Sequence, residues 1–175
     1  INRSTHIYHL LIDNVPINDV IKSSIVPKLF VIPADTDLAA AEVELRNREN
    51  REYILDMLLR PVVDSYDFII IDCPPSLGLL TVNALSASDS VLVPLQCEFY
   101  ALEGLAQLLR SVEIVKKNLN TNLTVQGIVL TMFDSRNKLS KLVENDVRQH
   151  FKNKVYKTVI PRNVRISEAP SHGLP

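Results

Sequence analysis

At 175 residues, 46% of them hydrophobic, the chain has enough apolar material for the core of one globular domain. No run approaches a membrane span in length, no signal-peptide pattern opens it, and two cysteines exclude a disulfide framework or a cysteine-rich zinc site. The formal net charge of −1 conceals an asymmetry, with a balance of −8 over residues 1–107 and +7 over residues 108–175.

In chain order, residues 1–14 show no clear period and no helix cap. Val15 to Ile21 predicts a short helix with Pro16 near its first turn. Leu29 to Ile32 predicts a short buried strand stopped at Pro33. Asp37 is placed to cap a helix running from Leu38 to about Val63, which Pro61 must end or kink. Phe68-Ile69-Ile70-Ile71 is a continuous apolar run without polar alternation, which suits a strand buried on both faces in the middle of a parallel sheet. Leu77 to Ala87 reads as a helix and Ser90 to Leu95 as a second buried strand. Tyr100 to Leu119 is the clearest helix, with Leu102, Leu105, Leu109 and Val112 on one face and Asn118 and Asn120 as its stop. Leu123 to Phe133 is a third strand in which Gly127 permits close packing, and Lys138 to Phe151 is another helix. Val155 to Ile160 is a last strand whose alternation predicts shallower burial. Strands alternating with helices imply an α/β fold: a mostly parallel sheet with helices on both faces.

The central run ends at Asp72, which places an acid at the carboxyl end of a strand, where open α/β sheets put their ligand crevice. Pro74 and Pro75 then turn the chain out of the ladder. Two readings of Asp72 stand side by side, a carboxylate beside Mg²⁺ in a nucleotide-hydrolysing site and a solvated strand-end acid. Cys73 and Cys97 read as small core-facing thiols of a reducing cytoplasm, and the four histidines have no metal-ligand spacing. The basic half is either an electrostatic footprint for phosphate backbones or the solvated faces of two helices.

Taken together, Tyr66-Asp67-Phe68-Ile69-Ile70-Ile71-Asp72-Cys73-Pro74-Pro75-Ser76-Leu77-Gly78 resembles the Walker B and switch II region of the ParA/Soj chromosome-partitioning ATPases, whose wider group includes MinD. The likeness continues through Val93–Gln96, Tyr100–Leu105, Thr131–Arg136 and Val159–Gly173, and its last two blocks are similar to the Soj branch rather than the MinD branch. It covers roughly residues 29–175 in order. The resemblance implies a P-loop NTPase-like fold and a cytoplasmic, nucleoid-associated bacterial ATPase. Such an ATPase closes into a homodimer around ATP, binds double-stranded DNA non-specifically and is stimulated by a ParB/Spo0J-type partner. It further implies Asp72 as the Walker B acid near Mg²⁺ and the stretch from Cys73 to Gly78, with Pro74 and Pro75, as the sensor of the γ-phosphate. Thr131, Met132, Pro161, Arg162 and Asn163 correspond to the adenine pocket for ATP or ADP. Arg136 and Arg165 correspond to the arginines used on DNA, where a planar fork suits phosphate oxygens.

A phosphate loop needs a glycine-rich turn followed by Lys and Ser/Thr, and none of the four glycines here precedes a lysine. The family's phosphate loop, its first strand and helix and its acidic loop are expected before Ile1, and its last helices after Pro175. The 175 residues therefore read as the interior of one partial nucleotide-binding domain, inactive in ATP hydrolysis by themselves. An apolar strand edge at Phe68–Ile71 is expected to be left exposed. Two alternatives follow: a non-catalytic DNA- or ParB-binding module built on this fold, and a MinD-like positioning ATPase.

Overall fold

The computed structural model describes residues 5–74 and 78–173. They form two compact units, one holding the described residues up to Ser88 together with Val115–Thr121, the other running from Asp89 to Ile114 and from Asn122 onward.

The first unit is built from short helices: α1 (Ile7–Leu11), α2 (Ile17–Val20), α3 (Leu38–Glu44), α4 (Ile54–Leu59) and α5 (Leu79–Ser86). Helix α1 lies in a stretch without sequence periodicity, yet it buries Leu10 and Leu11. The single long helix expected from Leu38 is broken well before Pro61. Arg48 is extended and Asn50 takes the left-handed conformation that Asn tolerates better than most residues. The break has a use, because the Arg48 guanidinium donates to the carbonyls of Leu11 and Ile12 at 3.0 and 2.8 Å, at the carboxyl end of α1. Asp37 sits at the start of α3 but makes no capping bond through its side chain. The short buried strand expected at Leu29–Ile32 is only β2 (Phe30–Val31), paired antiparallel with β1 (Lys22–Ser23). A two-strand ribbon has no interior position, and Phe30 is exposed.

The largest departure concerns residues 68–71. They form no strand, and Phe68 and Ile70 are 85% and 91% exposed. Apolar side chains alone do not make a strand; a ladder partner does, and among the described residues none pairs with this run. Cys73, expected in the core, is exposed for the same reason, whereas Cys97 is buried.

The second unit carries the parallel sheet, in the order β3 (Ser90–Gln96), β4 (Thr124–Phe133), β5 (Val155–Pro161). Val93, Leu95, Ile128, Leu130 and Val155 point into one core. Leu105 of α6 (Ala101–Asn118) and Val143 and Val147 of α7 (Lys138–Phe151) close it. A Cβ on Gly127 would stand 2.5 Å from the Tyr156 ring, so the close approach expected at this glycine is real. Strand β5 has the shallow burial that its alternation predicts. Parallel pairing brings the carboxyl ends of the strands together, with Gln96 opposite Thr131 and Phe133 opposite Pro161.

Candidate functional site

The carboxyl ends of β4 and β5 are tied by a hydrogen bond from the Arg162 N–H to the Phe133 carbonyl, 3.0 Å. Around them a cavity of about 350 Å³ is lined by Phe133, Asp134, Ser135, Arg136, Pro161, Arg162 and Val164. This is the crevice position that an open parallel sheet reserves for ligands.

Local sequence explains the shape of the rim. The β4–β5 register shifts between Leu130 and Phe133, and Met132 within that shift adopts a φ of 52°, a left-handed conformation uncommon for a non-glycine residue. The chain then turns at Asp134-Ser135-Arg136-Asn137. The Asn137 N–H donates to the Asp134 carbonyl at 3.0 Å, and the Asn137 side chain accepts from the Leu139 N–H at 2.9 Å, capping α7. The Asp134 carboxylate accepts from the Arg136 backbone N–H at 2.9 Å, from its Nε at 3.1 Å and from its Nη2 at 3.0 Å. Those bonds, with the charges of Arg136 and Arg162, hold the Asp134 carboxyl down at about 2 and push the Arg136 guanidinium up. Past β5, Asn163 caps α8 (Val164–Glu168) by accepting from the Arg165 N–H at 2.9 Å.

The residues singled out in the sequence fall into two groups. Arg136, Pro161 and Arg162 line the cavity. Thr131 and Met132 precede it on β4, and Asn163 and the exposed Arg165 follow it on the β5–α8 turn. Asp72 and Pro74 belong to the other unit, both exposed, and Pro75 lies outside the described residues. Asp72 offers one hard, solvent-facing carboxylate. That suits Mg²⁺, which keeps several waters and takes one or two carboxylates besides phosphate oxygens, and no cage of three or more His, Cys, Asp or Glu exists among the described residues. Asp134 was not anticipated as a site residue. Its signal is an acid two positions before an arginine in a turn that ends on a helix-capping Asn, the spacing of an Asx turn.

Comparison with known proteins gives this geometry its context. Residues 1–125 match the family described as AAA domain. The sporulation initiation inhibitor protein Soj of Bacillus subtilis is 57% identical over 169 residues, 97% of this chain and 67% of that protein. The chromosome partitioning protein ParA of Myxococcus xanthus is 54% identical over 169 residues, 97% of this chain and 60% of that protein. The crystal structure of a Mycobacterium smegmatis cobyrinic acid a,c-diamide synthase with bound ADP and magnesium matches with a TM-score of 0.85 at 36% identity, over 93% of this chain and 66% of that one. The chain thus spans between 60% and 67% of the length of these proteins. A parallel sheet with its ligand crevice at the strand ends, matching that nucleotide-bound structure, has the P-loop ATPase fold of the ParA and MinD type. Within that class, the chain belongs to the ParA/Soj family of partitioning ATPases.

Proposed function

We propose that the chain is part of an ATP-dependent DNA-partitioning ATPase. In this reading ATP and Mg²⁺ drive closure of a homodimer, the closed form binds double-stranded DNA without sequence preference, and a ParB/Spo0J-type partner stimulates hydrolysis on the bacterial nucleoid. The observation that carries it is the rim at the ends of β4 and β5, where Arg136, with its side chain 89% exposed, stands beside Arg162 on a hydrogen-bonded turn. A fixed, exposed guanidinium on a basic half of the chain is a phosphate contact that carries no sequence information. Thr131, Met132, Pro161, Arg162 and Asn163 are assigned to the adenine side of ATP, where the kinked end of β4 and the β5–α8 turn shape a wall for a flat base. Asp72 is assigned to hold Mg²⁺, which would supply charge neutralisation at the phosphates. Pro74 and Pro75 are assigned to the γ-phosphate-sensing loop.

These 175 residues alone do not hydrolyse ATP on this reading, because no glycine-rich turn followed by Lys is present to cradle the phosphates. The reading is tested by titrating the intact protein, with ATP and Mg²⁺, against random-sequence duplex DNA over a range of salt. Arg136→Ala and Arg165→Ala should each weaken binding about tenfold and lower the salt slope by about 0.9, the value of one lost phosphate contact. Unchanged affinity and slope in both variants would remove the DNA assignment and leave the MinD-like alternative.

A further inference from the structure

We infer that Asp134 is a positioning residue for Arg136, holding the guanidinium so that its outer edge faces a phosphate oxygen of double-stranded DNA. The inference rests on the DNA reading of Arg136. Asp134 occupies one edge of the guanidinium, accepting from Nε and Nη2, while also accepting the Arg136 backbone N–H. A guanidinium has five donors in a fixed plane, so occupying the Nε edge leaves the Nη1–Nη2 edge for a second oxygen pair. That edge is presented to solvent, because the Arg136 side chain is 89% exposed.

The turn itself is held from both sides. Asn137 bonds back to the Asp134 carbonyl and caps α7, and the Arg162 N–H fixes the Phe133 carbonyl at the end of β4. An otherwise flexible side chain therefore stands on a framework that stops at Asp134. This lowers the ordering cost that a free surface arginine meets on binding phosphate.

Charge alone argues the other way. A carboxylate whose oxygen lies 3.0 Å from Nη2 cancels much of the arginine's field and repels DNA phosphates, so a bystander acid should weaken binding and its removal should strengthen it. A positioning acid does the reverse. The sign of the effect decides between them.

The experiment is duplex-DNA binding by the intact protein with ATP and Mg²⁺, measured across salt for D134A, D134N, R136A and the D134A/R136A pair. Asp134→Ala should weaken binding at least about threefold even though it removes a negative charge, because the bidentate orientation is lost. Asp134→Asn keeps an oxygen for the Arg136 backbone N–H and so preserves the turn, but it loses the charged fork; its affinity should fall between wild type and D134A. In the R136A background, D134A should cause no further loss, since the pair acts as a unit. Tighter or unchanged binding by D134N, with R136A still weakened, overturns the inference while leaving the DNA reading intact. Wild-type affinity and salt slope in R136A overturn the inference together with the DNA role of Arg136 on which it rests.

Discussion

Strand β4 and the run at Phe68–Ile71 each carry consecutive large apolar residues, Ile128 to Leu130 in one and Phe68 to Ile71 in the other, yet one is the centre of a sheet and the other is unpaired. Ile128 and Leu130 are fully buried between β3 and β5, whereas Phe68 and Ile70 stand in solvent. Strand β4 has a ladder partner on each side and helices α6 and α7 over its core face. The other run has apolar side chains and no neighbouring strand among the described residues. Apolar content decides that a segment would gain from burial; backbone partners decide whether it is buried.

The sharpest test sets one substitution in each region. Leu130→Ala removes a fully buried side chain from the core and should cost about 2–5 kcal/mol in urea unfolding. Ile70→Ala truncates a side chain that is 91% exposed and should stay within about 0.5 kcal/mol of wild type. A comparable loss from both would show that residues 68–71 are paired and buried in solution.

Gly127→Ala probes the same sheet at finer scale. Its Cβ would meet the Tyr156 ring at 2.5 Å and the Lys154 carbonyl oxygen at 3.1 Å. The ring can swing but the carbonyl belongs to the backbone, so the variant should lose about 1–3 kcal/mol and loosen the β4–β5 pairing. Amide exchange along β5 would report that loosening directly. Unchanged protection there would mean that Tyr156 alone gives way.

The sequence was legible where local pattern and tertiary partner agree. The stripe of Leu102, Leu105, Leu109 and Val112 foretold α6, and Gly127 foretold close packing, because Leu102, Leu105 and Leu109 pack on the core of the sheet and Gly127 meets Tyr156 within the same unit. The first half of the chain was less legible. The Leu38–Val63 helix broke at Arg48–Asn50 because the Arg48 guanidinium is bonded to carbonyls more than thirty residues earlier, a contact no window of sequence contains. The cavity residues Arg136, Pro161 and Arg162 were found through family likeness, since a turn arginine has no distinguishing period. Asp134 carries no such sequence signal because its importance lies in a bidentate contact between two side chains.

That contact gives the smallest and most local test. The Arg136 fork and backbone N–H hold the Asp134 carboxyl at about 2, against about 3.9 in an unfolded chain. A carboxyl depressed on folding adds stability that is fully present above its unfolded value and is lost as pH falls from there through about 2. Acid should therefore release Arg136 only in that window, and the pair stays closed at neutral pH. Because solvent reaches the pair, with the Arg136 side chain 89% and the Asp134 side chain 30% exposed, the contribution to overall stability is small and the site itself is the better reporter. A carbon-detected NMR titration should place Asp134 near 2, and Arg136→Ala should return it to the ordinary carboxylate range. A carboxyl that titrates near about 3.9 with Arg136 intact would mean the fork is open in solution, and the arginine would then face DNA as a mobile side chain with its ordering cost restored.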